Sequence, residues 1–196
     1  MSEMSFCMRC GTALREERAS GDEDRRWVCT NPACGRVFYR NAKPCAGALV
    51  ERDGAVLLVR RNIEPFRDAW DIPGGYLHAW EHPVEGARRE LREETGLEIE
   101  VTRLLGIFID HYGSNDSNTF NVYYRARPVG GTLQPADDAA EARWFGPGEL
   151  PDDLAFPGHI PAVLRAWQAG IAAEPDPDPA TDGTLAVHVA AGVRPE

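Results

Sequence analysis

Three glutamates, Glu90, Glu93 and Glu94, are spaced so that one face of a helix would present all three side chains. Like charges at this spacing destabilise a helix by about 0.2–0.5 kcal/mol per pair. The cluster makes chemical sense when a divalent cation sits on it, because carboxylate oxygens suit magnesium or manganese. Gly74 and Gly75 precede the helix and could bring a backbone carbonyl to the same ion. On the glutamates alone, a charged, solvent-facing helix remains the alternative.

A second set of candidate metal ligands lies near the N-terminus. Cys7 and Cys10 enclose two residues, Cys29 and Cys34 enclose four, and 18 residues separate the two pairs. Two such pairs can supply the four thiolates of a tetrahedral zinc site. A glycine follows the second cysteine of each pair, as a tight turn requires. We expect a structural zinc ribbon over residues 1–40, and unpaired reduced thiols are the alternative.

The elements that would carry the glutamates can be read from the hydrophobic pattern. Residues 81–96 predict a helix, with Pro83 in the first turn, Gly96 just past the end, and apolar positions at helical spacing. Apolar runs at 45–50 and 55–60 around Asp53-Gly54 predict a hairpin, with Cys45 in the core. Strands mixed with a few helices indicate a layered α/β domain. Further strands are expected at 98–101, 104–110, 120–126 and 142–145, and a last helix at 159–169 that Gly170 ends.

Composition narrows the function classes. The 196-residue chain has a net charge of −10, which argues against a nucleic-acid partner and leaves a small phosphorylated substrate compatible. The absence of an apolar run near 18 residues, and of a secretory signal, leads us to expect a cytoplasmic protein with no membrane contact. Residues 173–196 are rich in Pro, Asp, Ala and Gly, and we expect a disordered tail there.

The full spacing around the glutamates resembles a known motif. Gly75, then Glu81, then Arg89-Glu90-Leu91, Glu93-Glu94 and Gly96-Leu97 match the Nudix box over its 23-residue length, with every fixed position filled. Residues 70–75 and 144–151 look like the segments that flank the box in this family. The resemblance implies the Nudix fold, α/β (α+β) with a mixed sheet between helices, over residues 43–172.

The resemblance also assigns roles, residue by residue. It makes Glu90, Glu93 and Glu94 the catalytic residues and the ligands of Mg²⁺ or Mn²⁺, with Gly75 contributing backbone oxygen. Glu81 would pair with Arg89 and hold the loop against the helix. The base that deprotonates the attacking water stays open: Glu93, Glu94, or an acidic residue on a later loop, which here means Asp137, Asp138 or Glu141. The alternative for that later loop is simple solvation.

Several other residues are candidates for substrate contact. Arg60 and Arg61 end a strand beside the expected site and could bind a phosphate, and a solvated surface position is the alternative for both. We place Gly74 with them in the substrate-binding set. Four aromatic side chains could stack a base or could be core: Tyr112, Phe120, Tyr123 and Tyr124. Residues 156–159 could form a lid. Two positions depart from the family pattern: His78, where an acidic residue is common, and His82, where a Ser or Thr helix cap is common.

A zinc ribbon ahead of a Nudix domain resembles the arrangement in NADH pyrophosphatases and in relatives that act on ADP-ribose or FAD. The NADH-selective group carries a string beginning Ser-Gln-Pro-Trp-Pro-Phe after the box, and this sequence has none. We therefore expect a metal-dependent hydrolase that cleaves the diphosphate of a small nucleotide derivative. A non-catalytic nucleotide sensor, with the ribbon as a contact for a partner or nucleic acid, is the alternative. The resemblance also implies a homodimer, because many family members are dimers.

Overall fold

The computed structural model describes residues 4–18, 25–39, 41–112 and 117–168. The predicted tail at 173–196 and the predicted helix stop at Gly170 lie outside these residues. None of the helices in the described ranges is long and apolar enough to cross a membrane.

A small antiparallel sheet accompanies the paired cysteines, of which Cys29 is the last residue of a strand. It is formed by β1 (Leu14–Arg18), β2 (Arg25–Cys29) and β3 (Val37–Phe38), in the order β1-β2-β3. The turns after Cys10 and Cys34 pass through Gly11 and Gly35, whose φ angles of 70° and 55° favour glycine. The predicted role of these two glycines is therefore confirmed.

The larger sheet is mixed and has seven strands. Its main path runs β10-β5-β4-β9-β8, in which β4 and β9 are parallel and the other neighbours are antiparallel; β6 pairs with β5 and β7 with β4. A two-residue turn at Asp53 and Gly54, with φ of 52° and 78°, joins β4 to β5 as the predicted hairpin. The strands are β4 (Lys43–Arg52), β5 (Ala55–Arg61), β6 (Trp70–Asp71), β7 (Gly74–Tyr76), β8 (Leu97–Tyr112), β9 (Ser117–Gly131) and β10 (Ala139–Phe145).

One prediction about the strands was wrong. The segments predicted as separate strands at 98–101 and 104–110 are one continuous strand, β8, with register shifts near Val101 and Leu104. These irregularities break the alternation of buried and exposed side chains, which is why the sequence pattern suggested two strands.

Two helices cover opposite faces of the sheet, which confirms the predicted layering. Helix α1 (Pro83–Thr95) buries Ala87 and Leu91 against one apolar cluster, and α2 (Ile160–Gln168) buries its own apolar face in the other. Successive residues of β9 divide between the two clusters, because strand side chains alternate: Tyr124 packs on the α1 side and Tyr123 on the α2 side.

Both ends of α1 are capped. The His82 side chain accepts a hydrogen bond from the Val84 N–H over 3.3 Å, so the unusual cap residue still satisfies one free amide. Gly96 adopts the left-handed conformation and donates its N–H to the Arg92 carbonyl, which ends the helix. The helix that holds the glutamates is thus fixed at both termini.

The four N-terminal cysteines form a potential metal centre. Their sulfur atoms all lie within 4.8 Å of one another. Hydrogen bonds from the Thr12 side chain and then its backbone lower the pKa of Cys10 to about 6, whereas burial raises the pKa of Cys29 to about 12. The geometry therefore fits the predicted tetrahedral zinc site.

We expect one tightly bound zinc per chain by elemental analysis, because the four sulfurs are already gathered. Cys10→Ser should remove the zinc and destabilise the small sheet, since metal binding and folding are coupled in such sites. Cys45→Ser is the matched control and should retain the zinc, because Cys45 lies in the larger sheet. Equal zinc contents in the two variants would contradict the assignment.

Candidate active site

The Gly74-Gly75 loop is positioned by a split in the larger sheet. Strands β4 and β5 pair only near their turn, at Glu51 and Arg52, and then separate. Strand β7 pairs with the start of β4, and β6 pairs with the end of β5, so the segment between them fills the opening. This split brings the glycine loop against helix α1 and opens a cavity of about 380 Å³ beside it.

The loop and the helix approach each other closely at Gly75. A Cβ atom added there would lie 2.6 Å from Oε2 of Glu90, so no other residue fits without displacing that carboxylate. The Gly74 N–H donates a hydrogen bond of 3.0 Å to Oε2 of Glu94. The backbone of the loop therefore touches two of the three predicted ligands.

Arg89 is the centre of the polar contacts around the glutamates. Its Nε and Nη2 donate to the two carboxylate oxygens of Glu81, each at 2.8 Å, and Nη2 also donates to the Tyr76 carbonyl at 3.0 Å. Its Nη1 donates to Glu90 at 2.7 Å and Glu93 at 2.9 Å. The hydrogen bond from Arg89 lowers the pKa of Glu81 to about 2. The predicted Glu81–Arg89 pair is present and ties strand β7 to the helix.

The three glutamates line the same cavity and differ in burial. Glu94 is 7% exposed, Glu90 is half-buried and Glu93 is exposed. Burial raises the pKa of Glu94 well above its usual range, with Asp71 and Glu90 adding to the effect, and burial also raises the pKa of Glu90. Buried carboxylates are stable as anions only beside a compensating cation.

The donor set is suited to a hard divalent ion, although it is not gathered as tightly as the cysteines. Among the described residues, the four cysteines are the group whose donor atoms all lie within 4.8 Å of one another. The guanidinium of Arg89 contacts both Glu90 and Glu93, and Glu94 is held by Gly74. Carboxylate and backbone oxygens of this kind are the ligands that magnesium and manganese prefer.

The two arginines predicted to grip phosphate are placed differently. Arg61 lines the cavity, where its Nη1 donates to Oδ2 of Asp71 over 3.0 Å. Arg60 does not line the cavity, and its Nε donates to the Asp68 carbonyl at 2.9 Å. Neighbouring strand residues point to opposite faces, so the pair could not both reach the site from β5.

The acidic loop named as an alternative source of the base also reaches the cavity in part. Asp137 and Asp138 line it, and Glu141 does not. The loop is held to the end of α1, because the Ala136 N–H donates to the Glu94 carbonyl at 3.0 Å. Asp137 and Asp138 therefore remain candidates on geometric grounds.

The remaining aromatic and cysteine predictions divide between core and cavity. Phe120 is exposed, Tyr124 is core, and Tyr123 is buried yet lines the cavity; the side chain of Tyr112 lies outside the described set. The prediction that Cys45 is core was wrong: it is half-buried at the cavity wall, where burial raises its pKa to about 12. Cys45 lies in the part of β4 that pairs with β7 at the split in the sheet, and there its side chain lines the cavity.

Three buried polar residues that line the cavity were not among the predicted site residues: Asp71, Thr119 and Asn121. The sequence pattern contained a signal for Thr119 and Asn121. Thr119 and Asn121 occupy alternate positions of β9, so they share one face of the strand with Tyr123. His159 also lines the cavity, and Phe156 lies beside it, in agreement with the predicted contact of the 156–159 segment.

Comparison with protein families gives two matches. The NUDIX domain family matches residues 42–165, and the Nudix N-terminal zinc-ribbon family matches residues 5–40. The crystal structure of a NUDIX hydrolase from Nitrosomonas europaea covers 86% of this chain and 92% of its own, with 30% identity and a TM-score of 0.74.

Curated relatives are named as hydrolases. The ADP-ribose pyrophosphatase of Methanocaldococcus jannaschii is 32% identical over 61% of this chain and 70% of that protein. The NAD-capped RNA hydrolase NudC of Pseudomonas aeruginosa is 29% identical over 87% of this chain, and the match spans 58% of that protein. With the fold, the glutamate helix and the cysteine cluster all in agreement, the chain belongs to the zinc-ribbon-containing Nudix hydrolases.

Proposed function

We propose that the chain hydrolyses the diphosphate bond of a nucleoside diphosphate linked to another moiety, of the ADP-ribose or FAD type. The observation that carries this proposal is the packing of Glu90 and Glu94 against the backbone of Gly75 and Gly74 inside a cavity. The half-buried Glu90 and the buried Glu94 would repel a substrate diphosphate unless cations lie between the carboxylates and the phosphates. This arrangement favours catalysis over nucleotide sensing without cleavage.

The residues of the site would hold the metal, orient its ligands and accept a proton. Glu90, Glu93, Glu94 and the Gly75 carbonyl would hold Mg²⁺ or Mn²⁺, which when bound neutralises phosphate charge and polarises the phosphorus–oxygen bonds. Arg89, held by Glu81, keeps the Glu90 and Glu93 carboxylates oriented. A carboxylate that lines the cavity would take the proton of the attacking water. Glu93, Glu94, Asp137 and Asp138 satisfy that condition.

Two observations bear on the choice among substrates: the printed names of the relatives and the absence of one sequence motif. A relative is named as an ADP-ribose pyrophosphatase, and the NADH-selective string is absent from this sequence. Another relative is named as an NAD-capped RNA hydrolase, but the net charge of −10 disfavours a long anionic polymer. We therefore favour the small diphosphate-linked nucleotides.

We also propose that the chain is organised as two domains. Residues 1–40 would form a ribbon held by a structural zinc on Cys7, Cys10, Cys29 and Cys34, and residues 43–172 the hydrolase domain. A homodimer and a cytoplasmic location stay predictions, which sedimentation of the purified protein and fractionation of cells would test.

A hydrolysis screen with magnesium tests the central assignment. We expect turnover of at least one substrate among ADP-ribose, FAD, NADH, NAD-capped RNA, dinucleoside polyphosphates and nucleoside triphosphates. Glu93→Gln and Glu94→Gln should each lower kcat/KM by about 10²–10⁴-fold, because each removes a charge needed for metal or proton transfer. Glu85→Gln is the control on the same helix, since Glu85 is exposed and pairs with Arg88. Unchanged turnover in both site variants would count against the assignment.

A second variant tests whether the Glu81–Arg89 pair orients the metal ligands. Glu81→Gln should lower kcat/KM by about 10–100-fold, because residues that orient metal ligands typically have effects of this size. The loss should appear as a higher magnesium concentration for half-maximal rate, since Arg89 would orient Glu90 and Glu93 less well. A magnesium requirement identical to that of the wild type would show that the Glu81–Arg89 pair has no bearing on the ligands.

A further inference from the structure

Two segments that the proposed diphosphate chemistry does not use also line the cavity. One is the loop 62–69 between β5 and β6, and the other is the segment 153–159 that leads into α2. We call these two segments together the loop wall. Its members that line the cavity are Ile63, Glu64, Pro65, Phe156 and His159.

The backbone of the loop wall is in an unfavourable conformation at two bulky residues. Phe66 has a φ of 63° and Phe156 a φ of 46°, in the left-handed region that such side chains rarely adopt. Asp68, with a φ of 68°, is in the same region. Three of the six non-glycine residues with positive φ in the described part of the chain therefore belong to the loop wall. Such conformations persist only where surrounding contacts hold them, and they concentrate at active sites and ligand clamps.

The guanidinium of Arg61 contacts the chain at both of these phenylalanines. Its Nε donates a hydrogen bond of 2.8 Å to the carbonyl of Pro65, which belongs to the peptide unit that joins Pro65 to Phe66. Its Cζ lies 4.9 Å from the centroid of the Phe156 ring. The rings of Phe66 and Phe156 also meet edge to face, with centroids 4.9 Å apart. Arg61 therefore joins the loop 62–69 to the segment 153–159.

Asp71 fixes the orientation of the Arg61 guanidinium. Asp71 is 5% exposed, and its Oδ2 accepts a hydrogen bond of 3.0 Å from Nη1 of Arg61. The Arg61 backbone is held as well, because its N–H donates to the Ala69 carbonyl and its carbonyl accepts from the Asp68 N–H, each at 2.9 Å. Arg61 thus has a fixed backbone and a fixed guanidinium plane before any ligand binds.

The three side-chain contacts of Arg61 require the shape of an arginine and not only its charge. Two different nitrogens of one plane donate to Pro65 and Asp71, while the guanidinium lies against the ring of Phe156. A lysine carries a single ammonium on a flexible stem and cannot make these three contacts at once. A phosphate, by contrast, is attracted by the charge of either side chain. The two possible roles of Arg61 therefore predict different behaviour of an Arg61→Lys variant.

We propose that Arg61 is a positioning residue that holds the loop 62–69 and the segment 153–159 together as one wall of the cavity. It would set the shape of the surface against which the substrate binds, which differs from the phosphate contact predicted from the sequence. The proposal rests on the proposed function only for the kinetic part of its test, because the contacts of Arg61 exist without a substrate.

Amide hydrogen exchange, followed by mass spectrometry, tests the loop wall without a substrate. Arg61→Lys should accelerate exchange about 10-fold in the peptides that cover both segments, because the contacts that join them are lost, and should leave the peptides of α1 unchanged. Phe156→Leu should also accelerate exchange in the loop 62–69, and it serves as the second variant if Arg61→Lys folds poorly. Arg67→Lys is the matched control, since Arg67 is an exposed arginine of the same loop that does not line the cavity.

Steady-state kinetics then separate positioning from a phosphate contact. With the substrate found in the magnesium screen, Arg61→Lys and Arg61→Gln should raise KM to a similar extent, about 5-fold or more, because neither side chain can hold the wall. The magnesium concentration for half-maximal rate should stay that of the wild type, since the contacts of Arg89 with Glu90 and Glu93 are untouched. Arg67→Lys should leave KM unchanged.

Two results would overturn the proposal. One is exchange that stays at the wild-type rate, or rises in only one of the two segments, in a well-folded Arg61→Lys protein. The other is a KM that Arg61→Lys restores to near the wild-type value while Arg61→Gln does not, because charge alone would then suffice. Absence of turnover on every substrate would instead refute the proposed function, and the exchange measurement would still decide whether Arg61 holds the wall.

Discussion

The close packing of Glu90 and Glu94 against the Gly74-Gly75 backbone is the constraint on which the rest of the site depends. Carboxylates lose hydration when they are buried, and here burial raises the pKa of both. A buried carboxylate is tolerated in a fold only where positive charge lies close to it. Arg89 supplies part of that charge, and the proposed divalent ion would supply the remainder together with the affinity for phosphate.

The fold serves this constraint in several ways. The split between β4 and β5 creates the space that β6 and β7 fill, and this places the glycine loop over the helix. Caps at both ends of α1 fix the axial position of the glutamates. Parallel pairing of β4 with β9 then carries alternate polar side chains of β9 to the same cavity. The cavity is therefore lined both by the three glutamates and by hydrogen-bonding side chains of β9.

Much of this could be predicted from the sequence because the relevant signals are local. The helical pattern predicted the start of α1 to within two residues, and Asp53-Gly54 predicted the hairpin turn. The spacing of the cysteines predicted the cluster that they form. Non-local pairing could not be predicted. The two-residue strand β6 carries no periodic signal, so Asp71 was not identified. His159 reaches the cavity only because the segment that leads into α2 packs on the face of the sheet that carries Tyr123. Arg60 and Arg61 were indistinguishable until the strand direction fixed which one faces the cavity.

Binding of Mn²⁺ to the zinc-loaded protein, followed by electron paramagnetic resonance, tests whether the glutamates hold a divalent ion, because free and bound Mn²⁺ give different signals. We expect at least one bound Mn²⁺ per chain that Mg²⁺ displaces. Glu90→Gln and Glu94→Gln should weaken this binding by about 10-fold or more, since each replaces a charged ligand by a neutral one. Glu85→Gln should bind Mn²⁺ as the wild type does. Wild-type protein that takes up no Mn²⁺, or site variants that bind it unchanged, would contradict the account.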